Sequence, residues 1–242
     1  MECLNCGKEF TTSDNYCSAC GQNTSTARMS TEHAVHQFFH AFTHTDKGFF
    51  DLIPQLLTKP GIVARDYNEG KRKTYFSPFT FLLLIVAVST ILVAYNNFMS
   101  MPTGDGQPYQ VKLVTNFLDK HFNVVVLFGI PLMAYFTSLF FRKRINFAEG
   151  LVLISYVSGE RSLFFAFVVL PLGVIFKDYW YLIVYSYLAI FMLYLSWACS
   201  QYLNDYTLKT RLKGALIFVV SQCIISLMIS IAVFISYKIN PS

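Results

Sequence analysis

The chain has 242 residues and a formal net charge of +5, with 54% hydrophobic, 17% aromatic and only 14% charged residues. Water-soluble domains carry about 25% charged residues, which excludes a single soluble globular domain as the whole of this protein. Its basic residues lie beside apolar runs and not on a soluble face, so nucleic acid is not expected as a partner.

Four of the six cysteines fall in the first twenty residues, as Cys3-x2-Cys6-Gly7 and Cys17-x2-Cys20-Gly21. Two such knuckles bring four thiolates to a tetrahedron, the geometry of a closed, structural zinc site. The glycines suit tight turns that need positive φ. A segment this short buries no core, so the metal supplies most of its folding free energy. No basic-then-apolar secretory pattern opens the sequence, which places the cluster in the reducing cytosol, where paired cysteines more often hold metal than form disulfides. Residues 1–24 therefore read as a cytoplasmic zinc ribbon.

Residues 25–77 read as cytoplasmic, juxtamembrane amphipathic helices. Val35, Phe38, Phe39 and Phe42 share one side of a helical wheel, with His33, His36, His40 and His44 on the other. Those imidazoles either bind a second metal or form the polar face of a helix lying in the membrane interface. A second helix is expected over 49–57, interrupted by Pro54, and a third over 62–69, stopped by Gly70. Lys71, Arg72, Lys73 and Tyr75 then meet the first apolar run, as a topology anchor for anionic lipid headgroups or, more sharply, as a site for a phosphorylated ligand.

Residues 78–242 read as a five-span domain, with crossings at 79–98, 122–141, 147–176, 179–202 and 215–237. Each is long enough for a hydrocarbon core of roughly 30 Å. The third is overlong, and one tilted or kinked helix, bent at Gly159 or Pro171, is favoured over two re-entrant pieces. With the N-terminus inside, inner segments hold eleven Lys and Arg and outer segments four, so the C-terminus is expected outside. Glu160 and Arg161 sit within the third span, where ionisable groups are costly. They form either a structural lock or a binding site. Gln222, Ser226 and Ser230 on the fifth span offer a polar stripe to face them.

The Cys-x2-Cys-Gly pair ending in Gly21-Gln22, Asp46-Lys47-Gly48, Lys59-Pro60-Gly61, Gly70-Lys71-Arg72-Lys73 with Tyr75 and Pro78, and Asn146-Phe147-Ala148-Glu149 together resemble an uncharacterised bacterial family of zinc-ribbon membrane proteins. Members often carry His after that Glu, where this chain has Gly150. The span layout is also similar to Yip1-type membrane proteins. Neither resemblance implies an activity.

The sequence thus predicts an all-α helical bundle in a bacterial inner membrane with an N-terminal zinc ribbon. No catalytic residue set is recognisable. The expected role is a non-enzymatic scaffold or adaptor whose zinc module docks a cytoplasmic protein. The alternative is a transporter or lipid-handling protein using Glu160 and Arg161. A metal-dependent membrane enzyme at the histidine face comes third.

Overall fold

The computed structural model describes residues 1–11, 14–26, 48–96 and 109–239. His33, His36, His40 and His44, with Val35, Phe38, Phe39 and Phe42, lie outside the described residues. Among those described, extended backbone is limited to the isolated bridges Glu2–Glu9 and Tyr16–Asn23. Everything else of length is helical: α1 (Phe49–Thr58), α2 (Pro60–Asn68), α3 (Pro78–Asn96), α4 (Tyr109–Phe140), α5 (Phe147–Phe164), α6 (Leu170–Ile175), α7 (Trp180–Leu203) and α8 (Leu208–Ile239).

Four segments are long and apolar enough to cross a membrane: Pro78–Tyr95, Phe147–Ile175, Lys177–Leu203 and Leu208–Ile235. Val124–Phe140, the later part of α4, is apolar but shorter. The long helices carry large apolar residues outward as well as inward. Ile91, Phe128, Leu182, Leu193 and Leu227 are exposed, while Phe81, Leu153, Ile154 and Leu195 are fully buried. A helix apolar on all sides belongs in the interior of a large protein or in lipid.

The overlong third stretch is one path. α5 passes through a π-helical turn, Phe165–Val169, directly into α6. The irregularity precedes Pro171 and does not fall at Gly159. Proline has no N–H and its ring crowds the carbonyl four residues back, a strain that a widened preceding turn relieves. Gly159 serves contact instead, since a Cβ there would lie 2.5 Å from the Phe81 ring of α3. α4 bends at His121, whose φ is −122° and ψ 20°.

The two short helices differ from the surface elements expected. α1 continues through Pro54, losing one backbone bond without breaking. α2 starts on Pro60, a residue preorganised for the first helical position, and sinks between α5 and α7. Pro60, Gly61, Val63, Ala64, Tyr67 and Asn68 are all buried. It can approach this closely because Gly61 has no side chain: a Cβ would strike the Ala198 carbonyl oxygen and lie 2.5 Å from the Tyr202 nitrogen. The Gly61 amide donates to Gln201 Oε1 at 3.1 Å, and Gln201 Nε2 donates to the Thr58 carbonyl at 3.2 Å. Gly70 ends the segment with φ at 114°.

Candidate functional site

The cysteine cluster is built from two matching turns. The Gly7 amide donates to the Cys3 carbonyl and the Gly21 amide to the Cys17 carbonyl, both at 2.8 Å, with φ of 75° and 70° at the two glycines. The four sulfurs lie within 4.8 Å of one another, and the Cys3–Cys20 and Cys6–Cys17 pairs are each 3.7 Å apart. A tetrahedral ion with bonds to sulfur of about 2.3 Å needs sulfur–sulfur edges of about 3.8 Å. The cluster fits a metal ion. Amides of Cys20 and Ala19 pull the Cys17 thiol down to about 6. The Lys8 amide pulls on Cys6 too, but burial and the neighbouring thiols outweigh it and push that thiol up to about 11. A divalent cation removes that competition by binding every sulfur as thiolate.

The cluster is fastened to the basic segment before α3. Gln22 Nε2 donates to the Gly70 carbonyl at 2.7 Å, Leu4 packs where a Gly70 side chain would be, and the Thr74 amide and hydroxyl donate to Asn5 Oδ1 at 3.1 and 2.8 Å. Lys71 pairs with Asp66 at 3.2 Å. Tyr75 donates its hydroxyl to the same Asp66 at 3.0 Å, and burial, with that carboxylate adding to it, pushes the phenol up to about 12. Arg72 turns inward, 6.0 Å over the Tyr67 ring. Lys73 is exposed. The four residues picked from the sequence are therefore partly engaged within the chain.

At the same end of the bundle, Asn146 and Glu149 form a reciprocal cap on α5 at 2.8 and 3.0 Å. Asn68 donates to the Glu149 carbonyl at 3.3 Å and to the Tyr202 hydroxyl at 3.0 Å, bordering a cavity of about 290 Å³ that Arg65 and Arg144 also line. Gly150 packs against α4, where a Cβ would lie 3.0 Å from the Ala134 carbonyl oxygen. A histidine at that position would not fit this contact. Arg144 reaches Asp205 at 3.0 Å and the Leu203 carbonyl at 2.5 Å, clamping two interhelical turns together.

Hydrogen bonds from the Thr207 hydroxyl and amide, the Thr210 hydroxyl and Arg144 hold the Asp205 carboxyl down at about 2. Unfolded aspartate titrates near ~3.9, so the folded form binds fewer protons and gains stability above that pH. That contribution is expected to fade as pH falls from about 4 toward 2. Melting temperature followed across this range should fall more steeply in the wild type than in Asp205→Asn. Parallel curves would show that the clamp does not depend on the charge.

Near the C-terminal end of α5, Glu160 and Arg161 point into different spaces. Arg161 lines a cavity of about 250 Å³ with Ser158, Ser162, Gln222 and Ser226. Its Nε donates to the Tyr187 hydroxyl at 3.1 Å, and its guanidinium lies 5.6, 5.7 and 5.5 Å from the Tyr187, Phe191 and Phe218 rings. Aromatic faces stabilise a cation without neutralising it. Among the described residues, none that lines the cavity is acidic. Of the polar stripe on α8, Gln222 and Ser226 reach this cavity, while Ser230 donates back to the Ser226 carbonyl at 2.9 Å. Glu160 lies 3% exposed beside an apolar groove on another side of α5.

The sequence reading missed the aromatic cage around Arg161, since Tyr187, Phe191 and Phe218 are lost among many aromatics in apolar helices. It missed Asn5 and Gln22 as fasteners too. Only the position of Gln22 directly after a knuckle glycine hinted at a role.

A family model described as "Protein of unknown function (DUF3667)" matches residues 46–90. That stretch contains α1, α2, the basic segment and much of α3, with Lys59-Pro60-Gly61 at the contact with α7. No curated protein and no solved structure matches the chain.

Proposed function

We propose that this is a five-span bacterial inner-membrane protein whose bundle binds an amphipathic molecule with an anionic group, in the manner of a lipid-handling protein or transporter. The observation that carries the reading is Arg161, a caged guanidinium facing a cavity with Gln222 and Ser226 and, among the described residues, no acidic lining residue. An intramembrane cation needs a counter-charge, and a mostly apolar cavity with a few convergent polar groups is the usual form of a ligand site.

The second crossing in this reading is the later part of α4. Its orientation rests on charge. The cysteine ribbon, Lys71–Lys73, Arg142–Arg144 and the turn before α8 gather at one end of the bundle, linked by Arg144–Asp205 and Asn68–Glu149. Positive residues concentrate on the cytoplasmic side, so that end and the ribbon are cytoplasmic. The metal is zinc, chosen for four thiolates at tetrahedral spacing.

The test uses protein in phosphatidylcholine nanodiscs with dioctanoyl phosphatidic acid as probe. Losing one charged hydrogen-bond partner should weaken binding on the order of tenfold to a hundredfold in Arg161→Gln, with a smaller loss in Gln222→Leu. Equal binding by wild type and both variants would end this reading.

The adaptor role is a second reading, supported by a ribbon that turns Met1 and Tyr16 outward while its other face holds the basic segment. Crosslinking of a cytoplasmic protein to the wild type, and not to Tyr16→Asp, is the result it requires.

A further inference from the structure

Glu160 is nine-tenths buried and more, and its Oε2 has no hydrogen-bond partner among the described residues. It belongs to a groove of about 450 Å³ bounded by α1, α3 and α5. The walls include Phe49, Phe50, Ile53, Leu57, Phe164 and Phe167, and among the described residues Glu160 is the only ionisable one lining the groove. The mouth opens on the exterior of the bundle, where Phe50 is 82% and Phe167 65% exposed. Phe167 lies in the π-helical turn that interrupts the helix after Glu160. Such turns recur where a helix shapes a binding site.

We propose that this groove is a second ligand site, entered laterally from the bilayer, for a single-chain amphiphile with an ammonium head. An unpaired buried carboxylate is costly, and a cation brought to it recovers that cost. Four phenylalanines supply ring faces suited to an alkylammonium group, and the apolar wall accepts the chain. The Arg161 cavity would attract the opposite charge, so the two sites take different ligands and stand or fall separately.

The probe is dodecyltrimethylammonium, added to the full-length protein in a nonionic detergent and detected by native mass spectrometry. The wild type should retain one molecule, with dodecyl sulfate failing to displace it. Glu160→Gln should weaken retention about tenfold or more, the scale of a lost charge partner. Glu160→Asp, which keeps the charge, should lose less. Ile53→Trp narrows the groove without touching the carboxyl and should also abolish retention. If Glu160→Gln does not fold, the aspartate and tryptophan variants decide. Retention unchanged in Glu160→Gln or Ile53→Trp, displacement by dodecyl sulfate, or no retention by the wild type would overturn the proposal.

Discussion

Gly61→Ala is expected to destabilise the bundle on the order of 3 kcal/mol, near the upper end of ordinary overpacking. The added Cβ would meet backbone of α7, at the Ala198 carbonyl oxygen and the Tyr202 nitrogen, and Gln201 Cβ at 2.7 Å. Hydrogen-bonded helix backbone cannot swing aside as a side-chain tip can. The helix would have to withdraw, lengthening the Gly61–Gln201 bond and opening the contact that keeps α2 buried. Gly129→Ala is the matched control, since its Cβ would meet only the flexible Ile225 Cδ1 at 3.1 Å. Thermal unfolding in detergent should separate the two clearly. A Gly61→Ala loss no larger than that of Gly129→Ala would contradict the close approach of α2 to α7.

With the proposed zinc bound, its removal by a strong chelator or by Cys17→Ser should unfold residues 1–26 while leaving the helices intact. Metal binding by small thiolate modules is worth about 10–16 kcal/mol of apparent free energy, far beyond what so few buried residues supply without it. The effect should spread past the ribbon. Without it, the Gly70 carbonyl loses Gln22, the Thr74 amide loses Asn5, and Leu4 leaves the surface of Gly70. Hydrogen exchange should therefore rise at residues 70–74 as well as in the ribbon. Exchange in α5 and α7 should change little. Protection at 70–74 that survives metal loss would show that contacts such as those to Asp66 and Tyr67 hold this segment without the ribbon.

The π turn before Pro171 and the burial of α2 show where pattern reading stopped. Pro171 signalled an irregularity in an overlong apolar run, but a proline does not specify whether the helix kinks, breaks or widens. The structure shows widening, in a turn that packs against α3 and α7. In the same way the helix expected over 62–69, within a juxtamembrane amphipathic stretch, did not say whether lipid or protein would cover it.

Local chemistry alone determined the cysteine turns, the glycine stop at Gly70, the Asn146–Glu149 cap and the apolar character of the long helices. Each depends on residues a few positions apart, so spacing is sufficient. Tertiary structure alone decided that Arg161 would be caged by Tyr187, Phe191 and Phe218, that Glu160 would face a different groove, and that Gly61 would meet Ala198. Those contacts join residues tens to more than a hundred positions apart, and in helices apolar on every side no periodicity marks which face turns inward.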